Sequence, residues 1–154
     1  MMTPISFDLV ALLQEKTVAT AESCTGGGVG AAITAIPGSS KIYKGGVVTY
    51  TNEVKAKLLN VDLSLLEQYG AVSAPVAKAM ASNVRELLCA DIGVSTTGLA
   101  GPDGDERGNP VGTVYIAYAD GQKCICREFH FSGDRESVRK QAVSEAIKLI
   151  AANQ

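Results

Sequence analysis

Apolar residues recur along this chain with two spacings that alternate from segment to segment. At 6–15 they return every three or four positions, as on one face of a helix, whereas 17–21 is a short apolar run typical of a buried strand. We predict further strands at 46–50 and 92–97. Helices are predicted at 6–15, from 28 to about 37, and at 52–59, 63–69, 73–90 and 134–152.

The last third of the chain carries a hairpin pattern. Two apolar segments, 111–119 and 123–131, flank Asp120 and Gly121, a dipeptide favoured in tight turns. Strands that alternate with helices, followed by a hairpin and a final helix, predict an α/β fold. We expect a three-layer α/β/α sandwich with a mainly parallel sheet and an antiparallel edge hairpin. The length of 154 residues suits a single domain, 1–154.

Composition narrows the class of protein. Hydrophobic residues make up 46% and charged residues 19%, as in soluble globular proteins. The net charge of −2 and the lack of a basic stripe argue against nucleic-acid binding, and no apolar run approaches the roughly 20 residues of a membrane span. The N-terminus has no secretion-signal pattern, so we expect a cytoplasmic protein. Four cysteines lack zinc or disulfide spacing and are expected to be reduced: Cys24, Cys89, Cys124 and Cys126.

Three polar or glycine-rich loops, 22–28, 51–55 and 98–110, follow the predicted parallel strands. Open α/β sheets bind ligands beyond the carboxyl ends of their strands, so we expect the site where these loops meet. The third loop also contains acidic residues, which we interpret as solvated rather than as metal ligands: Asp103, Asp105 and Glu106.

Ser23 stands where the first strand turns into a helix, just before three consecutive glycines. The N–H groups of that helix start, at Thr25, Gly26 and Gly27, are expected to face the site and hold a phosphate or a developing oxyanion. Ser23 is therefore a candidate nucleophile. A glycine-rich phosphate loop in which Ser23 only caps the helix fits the same residues.

A serine nucleophile needs a base. The only histidine, His130, lies between Phe129 and Phe131 on a predicted strand, so alternation turns it to the opposite face, toward solvent. That disfavours a serine–histidine pair and leaves lysine. Lys55, one turn into the helix after Tyr50, is the best-placed lysine, although a lysine in such a position is commonly just solvated.

Two further groups of residues suit a polar, anionic ligand. Thr97 and Gly98 end the third strand, although the glycine-rich loop after them also suits a plain surface turn. Arg135 and Arg139 open the last helix, where an arginine is able to pair with a phosphate while Asp134 caps the helix.

Taken in order, the loop and strand segments resemble the CinA C-terminal domain family. The matching segments are AESCTGG at 21–27, PGSS at 37–40, GGVVTY at 45–50, NEVK at 52–55, GAVS at 70–73, TGLAGPD at 97–103, PVGT at 110–113 and SGDR at 132–135. Each is weakly specific, but the ordered set spans nearly the whole chain. Gly28, where relatives more often carry a larger residue, and Asn109, where a basic residue is common, are mild departures.

The resemblance implies a serine–lysine amidase that converts nicotinamide mononucleotide to nicotinate mononucleotide and ammonia without a metal or organic cofactor. Carried over by motif, Ser23 is the nucleophile, Lys55 the base and Tyr50 a partner in proton transfer. The pocket implied by the loops and the resemblance together comprises Thr25, Gly26, Gly27, Ser40, Thr97, Gly98, Arg135 and Arg139. Which arginine meets the phosphate is open.

Longer relatives carry an N-terminal molybdopterin-binding-like domain, which we do not expect here because a helix is predicted within the opening residues. We expect a small nucleotide substrate, no nucleic-acid or membrane partner, and a homo-oligomer. The main alternative is a non-catalytic nucleotide-binding or regulatory module. Retention of Ser23, Tyr50 and Lys55 together favours the enzyme. A phosphate-transfer enzyme is disfavoured because no magnesium site is recognisable.

Overall fold

A computed structural model describes residues 8–154. Within this range the strands are β1 Val18–Glu22, β2 Tyr43–Val48, β3 Ile92–Gly98, β4 Thr113–Ala119 and β5 Cys124–His130. The α-helices are α1 Leu9–Leu13, α2 Gly28–Thr34, α3 Asn52–Leu59, α4 Leu63–Tyr69, α5 Ala74–Leu87 and α6 Arg135–Ala152, and a 3-10 helix covers Ser39–Lys41. Positions 6 and 7 of the first predicted helix lie outside the described residues.

The five strands form one sheet in the order β2-β1-β3-β4-β5. β1 pairs in parallel with both β2 and β3, whereas β4 is antiparallel to both β3 and β5. The predicted α/β fold, with parallel strands and an antiparallel hairpin at one edge, is confirmed. Within 8–154, no helix combines the length and the apolar character that a membrane crossing requires.

Alternation along the strands separates two helical layers. Val18, Ile92 and Ile116 point into a core shared with α1, α2 and α6. The opposite face presents small residues such as Ala19 to α3, α4 and α5. Gly93 allows the closest approach, because a Cβ there would lie 2.0 Å from the Ala81 carbonyl oxygen of α5. The layers follow from the two-residue period of a strand.

Strand β2 differs from its prediction, since it covers Tyr43–Val48 rather than 46–50. A bulge opposite Val18 shifts its register against β1, and Thr51 then caps α3 by accepting from the Val54 N–H. Thr49 and Tyr50 are thereby released from the strand. Their carbonyl groups are free to serve the site.

The carboxyl ends of the parallel strands meet at one edge of the sheet. Glu22, the last residue of β1, is level with Val48 of β2 and Thr96 of β3. The loops that follow these strands therefore converge, as expected of an open α/β sheet. The start of α6 lies beside the same edge, because Arg135 contacts Gly101 and Tyr50.

Candidate active site

A cavity of about 790 Å³ opens at this edge, within the size range of small-molecule sites. Among the predicted residues, it is lined by Ser23, Tyr50, Lys55, Thr97, Gly98 and Arg135. Leu66 and 70–72 complete the wall from segments that were not predicted to line it. The remaining lining residues come from the three loops predicted to form the site: Cys24, Asn52, 99–102, Asp103, Gly104, Asp105, Glu106 and Arg107.

The Lys55 side chain points inward from α3 and is only 1% exposed. Its Nζ donates to Ser23 Oγ at 3.1 Å, to the Thr49 carbonyl at 2.8 Å and to the Tyr50 carbonyl at 3.1 Å. Lys55 shares this inward face with Leu59, one helical turn later. Burial lowers the pKa of Lys55 from 10.5 to about 8, while the neighbouring Cys24 sulfur acts in the opposite direction. The solvated alternative for this lysine is therefore excluded.

Ser23 follows β1 directly and is 7% exposed. Its N–H donates to the Thr96 carbonyl at 3.1 Å, which extends the sheet contact past the end of the strand. The 3.1 Å between its Oγ and Lys55 Nζ lies within the range for direct proton transfer. Ser23 is not the cap of α2, because that position is held by Gly27.

The start of α2 is already occupied by a side chain, which corrects the expectation of free N–H groups at Gly26 and Gly27. Gly26 N–H donates to the Ser23 carbonyl at 3.1 Å, and Gly27 N–H donates to Glu22 Oε1 at 3.2 Å. Glu22 is 2% exposed and needs donors, which a helix start supplies. An external phosphate is therefore not expected at this helix. Within 8–154, neither the Cys24 N–H nor the Thr25 N–H donates to an oxygen, and the Cys24 N–H is the one next to Ser23 in the chain.

Of three further residues predicted to contact the ligand, Thr97 lines the cavity, whereas Thr25 and Ser40 do not. The Thr25 hydroxyl donates to Glu22 Oε1 at 2.6 Å, and the Thr97 hydroxyl donates to the Ala71 carbonyl at 2.8 Å, so both are used inside the protein. Ser40 is exposed in the 3-10 helix before β2. Ser40 precedes β2, whereas Ser23 follows β1. Because the two strands are parallel, Ser40 lies beyond their amino ends and Ser23 beyond their carboxyl ends, a separation of roughly 15–20 Å at about 3.3 Å of rise per residue. It does not reach the cavity of its own chain.

The two arginines of α6 have separate tasks. Arg135 lines the cavity, donating to the Gly101 carbonyl at 2.6 Å and to the Tyr50 hydroxyl at 3.2 Å. Arg139, one turn later, donates to the carbonyls of Cys24 and Thr25, both at 3.1 Å. Arg139 thus stabilises the turn that follows Ser23, and of the two arginines Arg135 is the one that lines the cavity.

Tyr50 contacts the serine–lysine pair through its main chain. Its carbonyl accepts from Lys55 Nζ, whereas its side chain is 57% exposed and its hydroxyl accepts from Arg135. Its expected part in proton transfer stays a prediction.

Arg107 fastens the third loop to the end of α4. Its guanidinium donates to the Gln68 carbonyl at 3.0 Å and to the Glu67 carbonyl. Its side chain packs over Gly70, whose Cβ would meet Arg107 Nε at 2.5 Å. The 98–110 loop is therefore held as a wall of the cavity.

Comparison with known proteins agrees with this geometry. The family model for the CinA C-terminal domain matches residues 5–153. The chain belongs to the CinA C-terminal domain family. A CinA-like protein of Geobacter sp. (strain M21) is 51% identical over 133 residues, which cover 85% of this chain and 32% of that protein. The chain thus spans about a third of the length of the curated relatives it matches.

Solved CinA structures share the fold. A CinA superfamily protein from Escherichia coli superposes with a TM-score of 0.88 at 39% identity, covering 92% of this chain and 83% of that one. A competence/damage inducible protein from Agrobacterium tumefaciens gives a TM-score of 0.87 at 35% identity, covering 99% and 100%.

Sequence reasoning missed Glu22 in this CinA domain. The available signal was an acidic residue closing the apolar run 17–21, where a charge is costly without partners. Arg107 and the Thr49 carbonyl had no local signal, since their roles depend on where distant segments meet.

Substitution of Lys55 by methionine tests its burial. Because the pKa of Lys55 is lowered from 10.5 to about 8, the unfolded chain binds more protons than the folded chain between these values. Lys55's contribution to stability is therefore constant below about pH 8 and rises with pH up to its unfolded pKa. The quantity to compare is the unfolding free energy of the wild type minus that of Lys55→Met. We expect this difference to increase by on the order of 3 kcal/mol between about pH 7 and about pH 11. Urea denaturation measures it.

The matched control is Lys57→Met, in the same helix but exposed, which should show no such rise. A pH-independent difference for Lys55→Met would contradict a desolvated lysine.

Proposed function

We propose that this CinA-family chain is a serine amidase that hydrolyses the carboxamide of nicotinamide mononucleotide to nicotinate mononucleotide and ammonia. The observation that carries the proposal is the buried Lys55 amine, 3.1 Å from Ser23 Oγ at the cavity wall. A module that only binds nucleotides has no need to desolvate a lysine beside a serine. The substrate is the one that the resemblance of the motifs implies.

The hydrogen bonds of Lys55 suit a base. As a neutral amine, Lys55 donates its two hydrogens to the carbonyls of Thr49 and Tyr50, and its lone pair is directed at the Ser23 hydroxyl. With a pKa of about 8, a useful fraction of Lys55 is neutral near neutral pH.

The reaction proceeds in two halves. Ser23 Oγ attacks the carboxamide carbon as its proton passes to Lys55, and the Cys24 N–H stabilises the oxyanion, as the residue after a nucleophile does in other serine hydrolases. Lys55 then returns the proton to the departing nitrogen, which leaves as ammonia. Water attacks the resulting ester and gives its proton to Lys55, which restores the proton to Ser23 Oγ. No step uses a metal or an organic cofactor.

The charge of Arg135 at the cavity wall suits a phosphorylated substrate. The pyridinium ring of nicotinamide mononucleotide withdraws electrons from the carboxamide, which makes it more reactive than a simple amide. Arg135 has guanidinium N–H groups beyond those donated to Gly101 and Tyr50, and we assign to it the substrate phosphate.

The direct test is ammonia release from nicotinamide mononucleotide. We expect turnover by the wild type and a loss of roughly 10³-fold or more in kcat for Ser23→Ala, with substrate binding retained, because a covalent nucleophile has been removed. A coupled ammonia assay and calorimetric binding measure the two quantities. Binding without ammonia release by the wild type would instead indicate the nucleotide-binding module.

The pH profile tests Lys55 as the base. Because the neutral amine is the active form and its pKa is lowered to about 8, kcat/KM should rise with pH and level off above about pH 8. The Cys24 thiol, whose pKa burial raises to about 11, does not titrate in this range. Lys55→Arg stays charged and should be inactive from about pH 6 to about pH 10. A pH-independent wild type would contradict this assignment.

Arg135 and Arg139 should differ in kinetic effect. Arg135→Gln should raise KM for nicotinamide mononucleotide about 10- to 100-fold, the loss expected for one charge-assisted hydrogen bond, and leave turnover of the phosphate-free riboside unchanged. Arg139→Gln should instead lower kcat for both compounds, because it loosens the nucleophile turn. Equal effects on both substrates for Arg135→Gln would refute the phosphate assignment.

A further inference from the structure

Glu22 is the most completely bonded buried charge beside the site. Its Oε1 accepts from the Thr25 hydroxyl at 2.6 Å, Gly27 N–H at 3.2 Å and Val29 N–H at 2.8 Å, and its Oε2 accepts from Gly30 N–H at 3.0 Å. No lysine or arginine among the described residues pairs with it. The carboxylate therefore depends on the main chain of α2 for its stabilisation.

These bonds close a loop around the nucleophile. Ser23 and Cys24 lie between the carboxylate of Glu22 and the α2 residues that it holds. The Thr25 hydroxyl uses its hydrogen on Glu22, so at 2.7 Å it accepts from the Thr96 hydroxyl. Thr96 also accepts the Ser23 N–H through its carbonyl. The turn that contains Ser23 and Cys24 is thus hydrogen-bonded to β3 as well as to α2.

The main chain of Glu22 reaches the base as well. Its carbonyl accepts from Thr49 N–H at 2.8 Å, and the Thr49 carbonyl accepts from Lys55 Nζ at 2.8 Å. One residue is therefore bonded to the turn that carries Ser23 and to the segment that holds Lys55.

We propose that Glu22 is a positioning residue, whose carboxylate keeps Ser23 Oγ within proton-transfer distance of Lys55 through its hydrogen bonds to the start of α2. This role rests on the proposed serine–lysine chemistry, but not on the identity of the substrate. All four partners of the carboxylate are donors, so the substitution Glu22→Gln tests their contribution directly. Its NH₂ group must face at least one of these donors, in whichever orientation it takes.

The test uses the full chain and two readouts. We expect Glu22→Gln to lower kcat for nicotinamide mononucleotide roughly 10- to 100-fold with KM within about twofold, since small misplacements of reacting groups cost about that much. The second readout is labelling of Ser23 by a fluorophosphonate, in which Oγ bonds to phosphorus, fluoride leaves and the serine proton passes to Lys55. The labelling rate should fall in the same proportion. A merely structural role would lower the thermal midpoint and leave both rates of the folded protein unchanged.

Asp8→Asn is the matched control, because Asp8 caps α1 through the Val10 and Ala11 N–H groups, and α1 does not line the cavity. It should leave kcat and labelling at wild-type values. Wild-type rates in folded Glu22→Gln, or a raised KM with unchanged kcat, would overturn the proposal.

If Glu22→Gln fails to fold, the variants Thr25→Val and Thr25→Ser test the positioning role of Glu22 instead. Valine removes one donor to Glu22 and should slow labelling several-fold, while serine restores the donor and should recover most of the rate. Equal labelling of the two would overturn the proposal. Labelling that responds to these changes in a protein unable to hydrolyse nicotinamide mononucleotide would refute the substrate and keep Glu22's role. An unlabelled, inactive wild type would refute both.

Discussion

The burial of the Lys55 amino group is the constraint on which the site depends. A cation taken out of water needs a partner for each hydrogen, and Lys55 finds three oxygens: one hydroxyl and two main-chain carbonyls. Both carbonyls belong to residues just past Val48, the last residue of β2, and the Thr49 N–H still donates to the Glu22 carbonyl of β1. The residues that directly follow edge strand β2 therefore form part of the environment of Lys55.

A second buried charge stands on the other side of the nucleophile and is satisfied differently. Glu22 is paired with the start of α2 rather than with a cation. Had Lys55 been its partner, a salt bridge would have raised the pKa of the lysine and kept it protonated. Separation of the two charges leaves the effect of burial on Lys55 largely uncompensated, since only the Cys24 sulfur opposes it. The fold therefore holds two opposite charges next to Ser23 without allowing them to neutralise each other.

The cavity is assembled from segments far apart in the chain, each held by long-range hydrogen bonds. Arg139 ties α6 to the turn after Ser23, Arg107 ties the third loop to α4, and Arg135 joins the third loop to the end of β2. Arg139 and Arg107 therefore stabilise the segments that form the cavity, while Arg135 keeps further N–H donors at the cavity. Arginine suits both uses because its five donors allow it to bond carbonyls and a ligand at once.

Local patterns in the sequence determined much of this protein. Apolar spacing placed every strand and most helices to within a few residues, because burial on one face imposes its period on the chain. The alternation of these elements implied the parallel sheet, and the parallel sheet brought Ser23, Lys55 and Thr97 to one edge, since loops after parallel strands must emerge together. His130 was likewise predicted to face away from the phenylalanines, and in the structure its side chain is 55% exposed.

The tertiary structure decided what each polar group does. Thr25 and Thr97 have the composition of ligand contacts, yet their hydroxyls are used by Glu22 and Ala71. Ser40 belongs to a matching motif but lies beyond the amino ends of the parallel strands, away from the site. Strand direction decides which end of a segment meets the site. Neither the desolvation of Lys55 nor the division of work between Arg135 and Arg139 has a local signature. Both depend on which distant oxygens and carbonyls the folded chain brings within about 3 Å, and a hydrogen bond is made or lost at that scale.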